Sequence, residues 1–334
     1  MVGALRPQRH LARGVVAATV LGGLAPDADA ALMALGWDVY LRWHAMGTHA
    51  LAGTPLVALL TALLVRTWTP AAPFGALAFG AWLGVLSHLF FDLFSGASIR
   101  LLWPLTGHAF TTPVVAMADP LAIAVLVPGA FALWVWPRAP RVAGALAMVL
   151  LAVLCVLKLG TREWAARVYA EQAGRAAAPV TAHDVEAVWG SWREWLFFDR
   201  LADGTVRAFT VDGWSGRMRE RFTHPDNHDA PFARASLAQF STVRNFLPAH
   251  PYAFATFRDT GEGAVVFWSD ARFCWAATEQ PDQQAGVPHQ DVRPPEEPVR
   301  CALWFGGSLD AAGRPKEALV WLGGHLQRRA PQRW

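Results

Sequence analysis

No glutamate occurs in the first 160 residues, whose only acids are Asp27, Asp29, Asp38, Asp92 and Asp119. Of the chain's 29 basic and 26 acidic residues, 14 fall in residues 1–160 and 41 in residues 161–334. An ordinary soluble domain is about one quarter charged, a figure that only the second part meets. This excludes a single soluble globule and also a disordered chain. It predicts an α-helical polytopic membrane bundle over 1–160, followed by a small soluble β-rich (α+β) domain over 161–334.

A membrane-spanning helix needs about 20 mostly apolar residues. Five stretches approach that: Leu11–Leu24, with an extension past Pro26 to Leu35, then Ala50–Val65, Phe74–Phe94, Pro113–Trp136 and Val142–Leu159. The first apolar run continues past Pro26 into further membrane-like sequence, so it reads as retained rather than as a cleaved signal peptide. Thr161–Ala178 reads as a helix leaving the membrane. Short alternating runs follow at Trp195–Phe198, Thr205–Val211, Ala253–Phe257, Ala264–Trp268 and Ala302–Phe305. Turn signals such as Asp203-Gly204 and Asp212-Gly213 separate them. Gln280–Pro298 reads as a polar, proline-rich loop. Cys274 and Cys301 are read either as a disulfide, if their domain lies outside the cytoplasm, or as two buried thiols.

The net charge of +3 and the scattered basic residues give no footprint for nucleic acid. No feature names a protein partner. The informative residues are ionisable groups in or beside apolar segments, which are costly there and signal function. Asp27 and Asp29 end the first segment, His44 and His49 precede the second, His88 and Asp92 close the third, and Asp119 opens the fourth. In an up-and-down bundle all of these share one membrane face. His88 and Asp92, four apart, lie on one side of a helix. Imidazole with carboxylate suits zinc, manganese or iron better than calcium. The competing reading of the same residues is an interfacial hydrogen-bond network that holds the bundle together.

These residues also carry a family resemblance. Leu21-Gly22-Gly23-Leu24-Ala25-Pro26-Asp27-Ala28-Asp29, Arg42-Trp43-His44-Ala45-Met46-Gly47-Thr48-His49, Ser87-His88-Leu89-Phe90-Phe91-Asp92 and Met117-Ala118-Asp119-Pro120 resemble signatures of the YdjM/YfhP-type inner-membrane proteins. That group is described as membrane-bound metal-dependent hydrolases. Ala45 stands where the family usually carries Arg, and Ala50 where it carries Ser. The order Asp29, His44, His88, Asp92 is more distantly similar to zinc-dependent phospholipase C and P1-type nucleases, in which His10 would match an N-terminal ligand. The resemblance implies a multi-pass protein of a bacterial-type inner membrane. It implies a divalent transition metal, zinc by analogy, and Asp27, Asp29, His44, His49, His88, Asp92 and His10 as ligands or their orienters. Asp119 would be a further ligand or the general base. The expected substrate is a membrane lipid or a lipid-linked phosphoester or ester.

Two other functions fit the same residues: a non-enzymatic, ion-binding membrane scaffold and a small-solute transporter. A transporter would place its ionisable residues nearer the bilayer midplane and show repeat symmetry. Arg6, Arg9 and Arg13 before the first helix outweigh Arg42 after it. The positive-inside rule then puts the N-terminus in the cytoplasm and, with five spans, the metal site and the C-terminal domain outside it. His108 is read as a solvated loop residue, and Thr223–Asp229, despite its two histidines, as a turn-rich loop.

Overall fold

The computed structural model describes the backbone of residues 5–44, 46–135, 140–173, 178–276 and 299–330. The expected Gln280–Pro298 loop and Ala45 lie outside the described residues, as does the side chain of His10. The chain divides into two compact units, Met1–Asp119 and Pro120–Trp334.

The first unit is helical: α1 (Leu5–Leu24), α2 (Trp37–Trp43), α3 (Thr54–Trp68) and α4 (Phe74–Phe94). Pro26 cannot donate to the ladder of α1, and the chain turns there into a 3-10 stretch, Pro26–Ala34, bent by 50° from the helix before it. Small residues bring α1 and α4 into backbone contact. A Cβ at Gly84 would lie 2.0 Å from the carbonyl oxygen of Thr19, and one at Gly22 would lie 2.2 Å from that of Ala81. Such close approach is characteristic of helix packing in lipid, where dispersion contact replaces the hydrophobic effect. Ala18, Ala58, Ala62, Val65, Leu77, Ala81 and Val85 complete the buried seam.

The second unit begins with α5 (Pro120–Val135) and α6 (Pro140–Ala173). The expected last span and the helix leaving the membrane are one continuous helix of 34 residues, about 51 Å long at the ordinary rise. A four-stranded antiparallel sheet follows, in the order β1 (Val180–Ala187), β2 (Glu194–Leu201), β3 (Thr205–Asp212), β4 (Met218–Pro225). Next come α7 (Pro231–Gln239) and α8 (Ser241–Phe246), then β5 (Ala253–Asp259), β6 (Gly263–Asp270), β7 (Cys274–Ala276), β8 (Val299–Cys301), β9 (Leu303–Asp310), β10 (Pro315–Leu322) and β11 (His325–Arg329). The larger sheet has the order β11-β10-β9-β6-β5, and β7 pairs with β8.

The two larger sheets share one core, in which Phe198, Val206 and Phe222 meet Phe254, Phe267, Trp304 and Trp321. Ala233, Phe240 and Val243 of the α7–α8 segment cover the opposite face of the larger sheet. Its strand β6 is therefore buried at all eight positions. The C-terminal part of α6 packs on the outer face of the smaller sheet: Tyr169 stacks on Phe197 at 4.6 Å, and Trp195 Nε1 donates to Thr161 at 3.2 Å. One helix thus has two solvents, exposing Leu146, Val149, Val153 and Val156 along its first half and burying Ala165, Val168 and Tyr169 in its second. Cys274 and Cys301, opposite each other on β7 and β8, form a disulfide. Of the Thr223–Asp229 segment, Thr223–Pro225 belongs to β4, and the turn follows at Asn227 with φ 56°.

Among the described residues, three helices are long and apolar enough to cross a membrane: Leu51–Trp68, Phe74–Phe94 and Val142–Gln172. The bent pair Arg13–Leu24 and Pro26–Ala34 makes a fourth if it counts as one span. Of the expected Pro113–Trp136 span, residues 113–119 are loop and α5 covers Pro120–Val135, with Pro128 inside the helix. The structure therefore supports three or four spans by length, short of the five expected.

Candidate metal centre

Four segments of the first unit deliver the site. The 3-10 stretch presents Asp27 and Asp29, α2 ends at His44, a single 3-10 turn (Gly47–His49) carries Thr48 and His49, and the last turns of α4 carry His88 and Asp92. The α1–α4 contact sets the distance between the first and last of these: His88 Nδ1 donates to the carbonyl of Gly23 at 2.9 Å. That carbonyl belongs to the last turn of α1, whose bond partners the break at Pro26 has removed.

Asp27, His49 and His88 each offer one ligand atom, and the three atoms lie within 4.8 Å of one another. His49 Nε2 and His88 Nε2 are 3.3 Å apart. Asp27 Oδ1 is 3.5 Å from the first and 3.6 Å from the second. Asp92 Oδ2 stands 3.1 Å from His88 Nε2 and 3.5 Å from His49 Nε2. His49 is buried, His88 and Asp92 are partly buried, and Asp27 is 60% exposed and forms the open side of the group.

The surrounding hydrogen bonds set the tautomers. A carbonyl only accepts, so the bond to Gly23 places a proton on His88 Nδ1 and leaves Nε2 with a bare lone pair when the ring is neutral. Thr48 Oγ1 donates to Asp29 Oδ2 at 3.0 Å, so its lone pair accepts from His49 Nδ1, also at 3.0 Å. His49 Nε2 is then bare as well. Two imidazole lone pairs and two carboxylate oxygens converge on one small volume. Such a set repels itself unless a proton or a cation lies among its members, and Asp27, His49 and His88 are close enough together to hold a metal ion. Burial lowers the pKa of His49, an effect partly offset by Asp29 and Asp92, which favours the neutral ring that metals bind.

Asp29 stands behind this group. Its carboxylate accepts from His44 Nδ1 at 2.9 Å and from Thr48, and lies 3.6 Å from His49 Nδ1. A carboxylate behind a ligating histidine fixes ring orientation and raises basicity. His44 stacks between Tyr40, at 4.5 Å, and the edge of His49, at 5.3 Å. Burial and then the charges of Asp29 and Asp27 raise the pKa of the Tyr40 hydroxyl. Thr48 and Tyr40 were not among the residues anticipated from sequence, although Thr48 lies inside the Gly-Thr-His motif.

Of the anticipated residues, Asp27, Asp29, His44, His49, His88 and Asp92 come together. Asp119 is buried in its own turn, where its carboxylate accepts from the backbone N–H of Ala116 at 3.2 Å. His108 is an exposed loop residue whose ring packs edge-on against Phe110 at 4.7 Å. His224 and His228 are held by backbone carbonyls of Pro225 and Ala253.

No curated protein and no solved structure matches the chain. A family model, that of the YdjM inner membrane proteins, matches residues 1–164, a region that contains every residue of the His/Asp group. With its apolar helices and this match, the chain is a membrane protein whose N-terminal region is similar to the YdjM inner membrane proteins.

Proposed function

We propose that the chain is a multi-pass inner-membrane metal-dependent hydrolase, acting on a phosphoester or other ester borne by a lipid. The observation that supports this best is the convergence of Asp27 Oδ1, His49 Nε2 and His88 Nε2 within 4.8 Å, with both imidazoles turned so that bare nitrogens face inward. Asp27, His49, His88 and Asp92 would hold the ion, zinc by the donor set. When bound, a divalent ion supplies Lewis acidity and lowers the pKa of water, which is the chemistry of ester hydrolysis.

The chain's own groups do the rest. Gly23 O and Thr48 Oγ1 hold the two ligand rings in their metal-binding tautomers, and Asp29 orients His44 and Thr48. Asp27, on the open side, marks where substrate enters. Leu51 and Phe91, close in sequence to His49 and Asp92, stay exposed and offer apolar surface to an acyl chain. Asp119, bound to its own loop, has no step in this scheme.

The proposed topology has five spans: the bent α1 pair, α3, α4, a short α5 and the first half of α6. It puts the N-terminus in the cytoplasm and the site and β domain outside. The Cys274–Cys301 disulfide favours that side, because such bonds persist in oxidising compartments. The deciding experiment is metal analysis of the purified protein beside His88→Ala, followed by a screen of phosphodiester and lipid substrates. Metal in the wild type, its loss in the variant and a metal-dependent turnover support the proposal; a metal-free wild type with no turnover in added zinc, manganese or iron rejects it.

A further inference from the structure

Two hairpin tips of the smaller sheet carry large exposed aromatics: Trp189, 67% exposed, and Trp192 in the β1–β2 turn, and Trp214, 70% exposed, in the β3–β4 turn. Trp192 and Trp214 meet edge to face at 5.8 Å, so the two tips form one patch. Trp164 of α6 is also exposed, and its indole nitrogen approaches the position a Cβ would take at Gly216 in the β3–β4 tip.

What fixes this patch is α6. Lys158, fully buried, donates from Nζ to the carbonyl of Ser191 at 2.9 Å. Thr161 Oγ1 donates to the carbonyl of Trp192 at 2.9 Å. Gly213 lies flush on the helix, since a Cβ there would be 2.2 Å from the carbonyl oxygen of Thr161. The same β1–β2 tip touches the start of α5, where a Cβ on Gly190 would be 3.4 Å from Pro120. Both tips therefore lie beside α6 where its apolar stretch ends, and the β1–β2 tip also lies beside the start of α5.

That level is a chemical boundary. From Val142 to Leu159 α6 exposes large apolar side chains, and the exposed run ends there. Eighteen residues of helix rise about 27 Å, close to the ~30 Å of a hydrocarbon core. Lys158 and Thr161 thus lie where hydrocarbon gives way to headgroups, and tryptophan concentrates in that zone because its ring is apolar and its N–H is polar. Arg217, exposed in the β3–β4 tip, lies where it can meet lipid phosphate.

We propose that the tips bearing Trp189, Trp192 and Trp214, with Trp164, form a second membrane contact that seats the β domain in the lipid interface beside α6. This rests on the reading of α6 as a membrane span. The occupant of the patch is lipid of the bilayer that α6 crosses. The contact would hold the domain at a set height on the bilayer rather than leave it free on a helical stalk.

The test uses the full chain with Cys155→Ser and the native disulfide intact, in phosphatidylcholine–phosphatidylglycerol liposomes. Because the chain has 17 tryptophans, intrinsic fluorescence cannot resolve the patch. Single cysteines are introduced instead, as Trp189→Cys, Trp214→Cys, Ser215→Cys (which keeps every tryptophan), Val153→Cys and Glu262→Cys, and labelled with an environment-sensitive fluorophore. The proposal expects labels at 189, 214 and 215 to lose emission with lipids brominated near the glycerol and to resist aqueous iodide. The label at 262, on the exposed β5–β6 turn, should show the reverse. Iodide access at 189, 214 and 215 equal to that at 262, with the label at 153 quenched by deeply brominated lipid, overturns the contact but leaves the span standing. Protection from both iodide and bromolipid means that protein covers the patch, which also overturns it. A label at 153 open to iodide and untouched by bromolipid rejects the span and this proposal with it.

Discussion

His49 Nε2 and His88 Nε2 face each other at 3.3 Å, and each ring has its other nitrogen tied to an acceptor, Thr48 Oγ1 for the first and Gly23 O for the second. The arrangement separates a metal centre from a structural hydrogen-bond network, because the two respond differently to removal of an outer partner.

Thr48→Val deletes the acceptor that orients His49 without touching a ligand. Loss of such an outer partner typically weakens metal affinity about 10–100-fold. The expected outcome is full metal content at saturating zinc and a right-shifted binding curve in a competition titration with a chelating indicator. A curve superimposable on the wild type would show that Thr48 does not act on a bound ion.

Gly84→Val should prevent the α1–α4 contact, since even a Cβ there lies 2.0 Å from the Thr19 carbonyl. Overpacking of this kind costs about 1–3 kcal/mol or more, and here it also pulls Gly23 away from His88. Both the unfolding temperature in detergent and the bound metal should fall. Gly75→Ala, where a Cβ meets nothing within 4 Å, is the control and should change neither.

Free-thiol counting addresses the disulfide. With three cysteines and one bridge, the denatured protein should alkylate once, at Cys155, without reductant and three times after reduction. Loss of a native disulfide from a small domain costs about 2–5 kcal/mol, so reductant should lower the apparent unfolding temperature of the β domain. Three alkylations without reductant in protein isolated from its membrane would place this domain in a reducing compartment. It would also contradict the proposed sidedness, which an active alkaline phosphatase fused after Trp334 checks independently.

Glu186 gives a pH signature confined to the β domain. Burial raises its pKa to about 7, against the opposing pull of Arg272 and with the help of Asp184 and Asp270. An acid whose folded pKa exceeds its unfolded value favours the folded state most below the unfolded value of 4.5, and that contribution is lost as pH rises to about 7. Glu186→Gln removes this loss. Relative to wild type, the variant should gain stability as pH increases from about 4.5 to 7 and hold a constant advantage above. A difference independent of pH would mean that Glu186 titrates normally.

The change of composition along the chain was legible in its sequence, because the cost of charge in hydrocarbon leaves a record: residues 1–160 lack glutamate and residues 161–334 do not; the compact units themselves divide earlier, between Asp119 and Pro120, and α6 runs unbroken through residue 160. The same cost made Asp27, Asp29, His44, His49, His88 and Asp92 conspicuous, and helix periodicity alone put His88 and Asp92 on one face. Turn signals at Asp203-Gly204 and Asp212-Gly213 located the turns that follow β2 and β3. Other features depended on distant segments. That Gly22 and Gly84 let α1 touch α4, and so put a backbone carbonyl behind His88, is a relation between residues 62 positions apart that no local pattern encodes. The role of Thr48 emerges only once Asp29 is folded against it. The continuity of α6 through Lys158 and Thr161 was hidden for a similar reason. A lysine reads as the end of an apolar helix until the β1–β2 turn supplies a carbonyl for its ammonium. Local propensity and solvent preference act within a few residues and can be read from the chain, whereas the partners that satisfy a buried polar group come from wherever the fold places them.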